Sequence, residues 1–425
     1  LNINGKLELN QKHFNFCVYS LNRTKMKFAH ISDTHLGASN FKLKEREEDF
    51  ENAFKKVVDR IIEEKVDFVV HSGDLFDRGR PPLKTFLFCL DQLKRLKKAN
   101  IPVFIVAGSH DIGSEGTQIS IFEEVDLIKN VSPISLSGDV IEKVEGITLK
   151  LKDIDVFICG ISGRRAKINE IYEKFNLELP KNAYKIFVFH HIVSDVPNAT
   201  LFYDIQTSLL PKGFDYYAGG HWHSRFEKKF DHGLIVYPGS LEYCDMREME
   251  TDKEKGFYIV EVNEKKETKL KWIKIEMRKI LIRNLNCNNL SPSEVTENCI
   301  KLIKEEAANI KNGILILKLN GRLKSGNKSE IDRIRIEKLS KELGILITQI
   351  YTSDLLDPSS FITIDVKSKS LEEIETEYLQ KQKYDDKVIK LAKELISILG
   401  QDLSSEEIEK EVERAYHIIQ KEMLK

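Results

Sequence analysis

Apolar residues along this chain fall into two kinds of pattern. Nearly unbroken short runs occur at KFAHIS (27–32), VDFVVHS (66–72), IPVFIVA (101–107), KIFVFH (185–190) and FDYYA (214–218). Runs of this length bounded by Gly or Pro predict buried strands. Elsewhere the apolar positions recur at helical spacing. Over 45–64, Phe50, Phe54, Val57, Val58, Ile61 and Ile62 form one stripe, and a second helix is predicted over 83–99, ending at Asn100 with Pro102 just beyond. Strands are also predicted at 185–190, 214–218, 234–238, 257–262 and 269–276, with no long helices between them. The expected fold class is α/β, with a two-sheet α/β sandwich and outer helices over 26–277.

The pattern changes after residue 277. Over 278–368 the strand-like segments ILIRNL, GILILKLNG, ILITQIY and FITIDVK alternate with helices at 293–311 and 330–342, which predicts a small α+β domain. The tail, 369–425, predicts a helical pair. One helix covers 384–399 with Tyr384, Val388, Leu391, Leu395, Ile396 and Leu399 at helical spacing, and Gly400-Gln401-Asp402 makes a turn. A second helix starts at Ser404, with Glu407 completing a capping box, and puts Ile408, Val412, Ala415, Tyr416, Ile419 and Met423 on one face. Two such helices have no core of their own, so the face must be buried on the preceding domain or on a partner. Residues 1–25 read as an N-terminal extension, from an upstream start or a misassigned initiation codon, or else as an extra strand.

Composition narrows the class. With 425 residues and 41% apolar content, the chain can bury a large core and make two or three domains. Its 66 Lys and Arg against 67 Asp and Glu give no global electrostatic case for nucleic acid, so any DNA binding must come from local patches. Residues 318–338 are such a patch, with seven basic residues, including Arg322, Lys324 and Lys328, against three acidic ones. That charge fits phosphate contact, and equally a solvated loop and helix face. The six cysteines show no CxxC spacing and fit a reducing compartment. No stretch approaches the roughly 20 apolar residues of a membrane span and no signal peptide precedes the fold, so a cytoplasmic protein with no membrane contact is expected. The Lys and Glu content with few Met and Pro suits a thermophile, although low-GC codon bias leaves the same signature.

The chemistry sits where the apolar runs end. Asp33-Thr34-His35, Gly73-Asp74, Gly108-Ser109-His110-Asp111, His190-His191 and Gly219-Gly220-His221-Trp222-His223 each follow one of them. Open α/β sheets place ligand sites at strand ends. Asp oxygen and His nitrogen suit divalent ions such as Mn, Zn or Fe, and the absence of Cys from the clusters argues against a closed thiolate site. Two ions about 3.5–4 Å apart that share one carboxylate can clamp a phosphate and activate a water. One His beside a strand is usually only a satisfied polar residue, and His13, His30, His71, His232 and His417 are read that way. Several Asp and His at adjacent strand ends are different, because burying them without a cation carries a large desolvation cost.

In this order, DTH, GDLFD, GSHD, the strand-terminal His190 and GHWH resemble the calcineurin-like metallophosphoesterase superfamily. HISDTHLG, HSGDLFDRGRPP and VYPGSLEYCDMREMETDKEKGFYIVEV are more specific and resemble the Mre11/SbcD family of double-strand-break repair nucleases. The resemblance implies that Asp33, His35, Asp74 and His223 hold a first Mn ion. Asp74 would bridge to a second, bound also by Ser109, His190 and His221. Ser109 stands where the family pattern carries an Asn; a hydroxyl is shorter and a weaker neutral donor, so the second ion is expected to be held loosely or through water. By the same resemblance His110 faces the scissile phosphate as general acid or transition-state stabiliser. His191, where relatives often carry Gln, is a candidate for supporting a ligand; Asp77 either orients a ligand or caps the turn that follows.

The resemblance also implies roles for the rest of the chain. Residues 278–368 would be a DNA-binding capping domain. The tail would grip a Rad50-type ABC ATPase through Leu391, Leu395, Ile408, Val412, Tyr416 and Ile419, with docking on the cap as the alternative. A homodimer would form through helices 45–64 and 83–99. The expected activity is that of a Mn-dependent phosphodiesterase, an exonuclease on double-stranded DNA ends and an endonuclease on single strands or hairpins. The rivals are another metallophosphoesterase acting on small molecules or phosphoproteins, and a weakly active scaffold subunit of the repair complex.

Overall fold

The computed structural model describes residues 12–14, 25–113, 116–132, 146–151, 154–163, 168–175, 178–197, 202–252, 254–358, 370–381, 386–399, 412 and 416. The chain divides into two units, 1–278 and 279–425. In chain order the first unit contains β1 (Lys12–Phe14), β2 (Lys25–Ile31), α1 (Lys44–Glu64), β3 (Phe68–His71), α2 (Leu83–Lys98), β4 (Val103–Ile105), β5 (Ile112–Gly113), β6 (Gly116–Thr117), α3 (Ile119–Glu124) and β7 (Lys129–Asn130). It continues with β8 (Ile147–Lys150), β9 (Asp155–Ile161), α4 (Ile168–Lys174), β10 (Tyr184–His190), β11 (Tyr216–Gly220), β12 (Phe226–Phe230), β13 (Gly233–Tyr237), α5 (Met246–Thr251), β14 (Lys255–Asn263) and β15 (Thr268–Ile275).

Two large sheets result, one with strand order β15-β14-β2-β3-β4-β7 and one with β1-β8-β9-β10-β11-β13-β12, while β5 and β6 pair separately. Alternation along each strand assigns side chains to layers. Phe28, Phe68, Val70 and Phe104 of the first sheet meet Ile186, Val188, Ala218 and Val236 of the second in a core between the sheets. The alternate residues Ala29, Ile31, Val69 and Ile105 face away and pack against Phe54, Val57, Val58 and Ile61 of α1. On the far side of the second sheet, Phe187 and Phe189 join Ile168, Ile171 and Tyr172 of α4. The α/β sandwich with outer helices is therefore present, and strands buried on both faces explain the unbroken apolar runs.

Two parallel stretches bring the strand ends together. In the first sheet Ile31 pairs with His71 and His71 with Ile105. In the second, His190 pairs with Gly220. The sheets are tied across at this end, where Ser72 Oγ donates to the carbonyl of Ala218 at 3.0 Å and His190 Nδ1 donates to that of Ser72 at 2.7 Å.

The second unit holds β16 (Ile280–Asn286), α6 (Pro292–Glu306), β17 (Ile314–Arg322), α7 (Arg333–Glu342), β18 (Ile347–Tyr351) and β19 (Leu355–Leu356), with α8 (Leu371–Lys381) and α9 (Asp386–Leu399). Its strands pair in parallel on β17. Helix α6 begins with a capping box, Ser291 with Glu294, and Pro at its first position.

Several expectations shift. The strand expected at 214–218 lies at 216–220, because Phe214 enters the core while Asp215 accepts the Lys185 backbone N–H at 2.7 Å. Helix α7 begins at Arg333 rather than 330, after a single 3-10 turn over Lys328–Glu330. Helix α8 extends the tail beyond the pair expected there. The FITIDVK strand and the capping box at Ser404 lie outside the described residues. Residues 12–14 of the extension pair in parallel with β8 at the sheet edge.

Candidate metal centre

The loop after each strand turns sharply. Asp33, His35, Asp74 and His221 all have positive φ, at 50°, 42°, 53° and 79°. Such backbone costs about 1–3 kcal/mol per residue and persists where surrounding contacts over-determine it. Those contacts are visible: Asp33 N–H donates to the Gly73 carbonyl, His35 N–H to that of Asp74, and His221 N–H to the Asp33 carboxylate at 3.1 Å. Gly108 is required by close approach, since a Cβ there would fall on the Asp74 carboxylate and backbone nitrogen.

Two sets of ligand atoms result, with Asp74 in both. Asp33, His35 and Asp74 offer atoms within 4.8 Å of one another, as do Asp74, His190 and His221. His223 joins the first set: its Nε2 lies 3.2 Å from His35 Nε2 and 3.6 Å from Asp33 Oδ1. Two ligand nitrogens on one tetrahedral ion, each at about 2.0–2.1 Å, would stand a little over 3 Å apart. Ser109 lies beside the second set, because a Cβ on Gly163 would meet both the Ser109 nitrogen and His190 Cδ2 at 2.8 Å. All seven residues expected to hold the ions therefore lie at one place.

Unsatisfied atoms test whether the set fits a cation. Nine buried side-chain nitrogen or oxygen atoms lack a hydrogen bond among the described residues, and three of them face the ligand sets: Asp74 Oδ2, Ser109 Oγ and His190 Nε2. Buried polar groups rarely go unsatisfied, so their concentration calls for an absent partner. Asp74 Oδ2 and His190 Nε2 are 3.0 Å apart yet lack hydrogen-bond alignment, as expected of two ligands aimed at a third atom. The residues fit divalent cations.

Electrostatics agree. Burial pushes the His190 imidazole down, but the Asp74 carboxylate outweighs it and holds His190 up at about 9. Burial would raise Asp74, yet its neighbour His190 keeps it far below the usual carboxylate range. The site favours positive charge beside Asp74. Outside it, burial drives His30 and His71 down to about 3, so both are neutral, and they bond to Tyr216, Ser72 and Thr34 as satisfied core residues.

Three histidines share one device. His190 Nδ1 is committed to the Ser72 carbonyl at 2.7 Å, His223 Nδ1 to Glu248 Oε1 at 2.6 Å and His110 Nδ1 to the Asp77 carbonyl at 2.8 Å. Each bond fixes the tautomer and leaves Nε2 for the site. His110 is exposed and its ring sits edge-on to His35 with centroids 4.9 Å apart. Asp77 thus orients His110 through its backbone, while its carboxylate stands 3.6 Å from His35 Nδ1. His191 turns elsewhere, with Nδ1 3.2 Å from the Tyr172 hydroxyl.

Sequence reading assigned no role to Glu248 and Asp111, which brace the centre, or to Cys244 beside it. Glu248 Oε2 accepts from Ser240 Oγ, the Cys244 N–H and Lys255 Nζ, the last at 2.7 Å. Asp111 accepts from the backbone N–H groups of Leu75, Phe76 and Gly108, tying the second and third motif loops together. Cys244 corrects the view that thiols are absent, for its sulfur lies within 4.8 Å of ligand atoms of His35 and His223. The signal for Glu248 and Cys244 was present in LEYCDMREMETDKEKG, but no spacing rule links that segment to His223.

The other predicted residues lie in the second unit. Arg322 ends β17, Lys324 pairs with Glu294 at 2.6 Å, and the Lys328 N–H donates to Asp357. Leu391 and Leu395 are partly buried on α9, Val412 and Tyr416 are 51% and 59% exposed, and Ile408 and Ile419 lie outside the described residues.

Fold and site together define a calcineurin-like phosphoesterase, and the family model of that description matches residues 26–225. Among named relatives, the DNA double-strand break repair protein Mre11 of Methanocaldococcus jannaschii is 30% identical over 382 residues, covering 88% of this chain and 95% of that protein. The Mre11 proteins of Sulfolobus acidocaldarius and Sulfurisphaera tokodaii are 32% and 35% identical, covering 70% and 63% of this chain and 75% and 67% of theirs. The chain belongs to the Mre11 family.

Proposed function

We propose that this protein is a Mn-dependent DNA nuclease of double-strand-break repair, acting as an exonuclease on duplex ends and an endonuclease on single strands or hairpins. The observation that carries the reading is the pair of ligand sets sharing Asp74 in a chain of the Mre11 family. Asp33, His35, Asp74 and His223 would hold one ion and Asp74, Ser109, His190 and His221 the other. Two such ions, when bound, neutralise a phosphodiester and lower the pKa of an attacking water.

The remaining chemistry belongs to the chain's own residues. The Asp77 carbonyl holds His110 by Nδ1–H, so Nε2 is the atom that would pass a proton to the departing sugar oxygen. Exposure of His110 leaves it open to a DNA strand. The wall of Asp111 bonds fixes the loop that carries it, so the reacting groups need little reorganisation.

The test is nucleotide release from end-labelled linear duplex DNA with Mn, with and without a chelator. Chelator-sensitive release is expected. Release that persists in chelator, or release only from small phosphodiesters and phosphoproteins, would overturn the reading.

Ser109 favours a second reading, a weakly active scaffold, because a hydroxyl is shorter and a weaker neutral donor than the Asn of the family pattern. Ser109→Asn separates the two: a large gain in cleavage at fixed Mn favours the scaffold, while little change makes the serine a tolerated ligand.

Partners follow the same proposal. Arg322, Lys324 and Lys328 supply positive charge for DNA, and the exposed Leu83 and Leu87 on α2 support a homodimer. The exposed Val412 and Tyr416 support capture of a Rad50-type ATPase by the tail. Deleting 371–425 should abolish co-elution with that ATPase and spare metal binding.

A further inference from the structure

Cys244 belongs to neither of the two sets that share Asp74. The Cys244 sulfur lies within 4.8 Å of ligand atoms of His35 and His223. Among the described residues Cys89, Cys159, Cys287 and Cys299 are buried, whereas Cys244 is partly exposed. Its place is fixed by the carboxylate that also fixes His223: Glu248 Oε2 accepts the Cys244 N–H at 3.2 Å and Oε1 takes His223 Nδ1 at 2.6 Å. The Cys244 backbone and the His223 imidazole are thus held by one side chain, and the thiol itself donates to the Glu242 carbonyl at 3.5 Å.

We propose that Cys244, His35 and His223 form a binding site for a thiophilic divalent cation such as Zn2+ or Cd2+. Two imidazoles and a thiolate are a borderline-soft donor set, in contrast to the carboxylate-rich surroundings of Asp33 and Asp74. Binding replaces the S–H bond by a metal–sulfur bond and releases the proton to solvent. Because the site borrows His35 and His223, its occupation and that of the first Mn position exclude each other. A thiophilic ion would therefore block the centre without touching DNA.

The inference rests on the metal-centre reading, and the two can fail separately. CdCl2 is titrated into the metal-free full-length protein while the ultraviolet sulfur-to-cadmium charge-transfer band is followed. In the wild type the band should grow to one equivalent. In Cys244→Ser it should be lost, while Mn still binds. A band unchanged in Cys244→Ser, or Cd binding to the wild type with no band, would overturn the proposal; loss of Mn binding by the wild type would overturn the metal-centre reading instead. X-ray absorption of the Zn-loaded wild type needs no variant. It should show one sulfur at about 2.3 Å, and a shell of nitrogen and oxygen alone contradicts the site.

Discussion

Glu248 Oε1 lies 2.6 Å from His223 Nδ1, and its other oxygen lies 2.7 Å from the buried ammonium of Lys255. The lysine also bonds to Asp252 at 2.8 Å and to the His223 carbonyl at 2.9 Å. A carboxylate placed behind a histidine fixes its tautomer and raises its basicity as a ligand. Glu248→Gln keeps the shape and removes the charge. Mn affinity, read by calorimetry without DNA, should fall about 10–100-fold, and unchanged affinity would deny Glu248 this role.

His110 reaches the ligands through its backbone N–H, which donates to Asp74 Oδ1 at 2.7 Å, while its ring is held by Nδ1 on the Asp77 carbonyl. His110→Ala should therefore keep both Mn ions and lower cleavage by about 10²–10⁴-fold, the range for a positioned proton donor. Metal content and cleavage rate, measured on the same preparation, check this. Loss of an ion would make His110 a ligand instead.

Arg46 is wholly buried in α1, donating to Asp49 at 2.7 Å and to Glu242 and the Tyr243 carbonyl at 3.1 Å. Arg278 holds the far side of Asp49 through two bonds of 2.7 and 2.6 Å. Removing the central cation leaves the buried Glu242 carboxylate without its charge partner, while Asp49 keeps Arg278. Arg46→Ala should cost about 3–5 kcal/mol in urea unfolding, whereas a loss within about 0.5 kcal/mol, typical of a surface substitution, would show the network to be dispensable.

Much of the fold was legible because β2, β3, β4, β10 and β11 are apolar on both faces and end in ligands. The five motifs marked those ends, so the residues expected to hold the ions could be named in advance. Strand β9 is as apolar as its neighbours, but no metal-type residue follows it to draw the eye. Helix α8 was missed because LEEIETEYLQK has few apolar positions, although Ser370 and Glu373 cap its start. Glu248, Lys255 and Cys244 were hidden for another reason: they reach His223 only once the loop after β13 folds back, a tertiary contact with no local pattern.

The central claim is that Asp74 is shared by two cation sites. Mn binding per chain, measured by equilibrium dialysis for the wild type and Asp74→Asn, tests it most directly. Two ions should bind the wild type and both should be weakened together in the variant, since one carboxylate serves both sets. Two ions bound with unchanged affinity in Asp74→Asn would contradict the account.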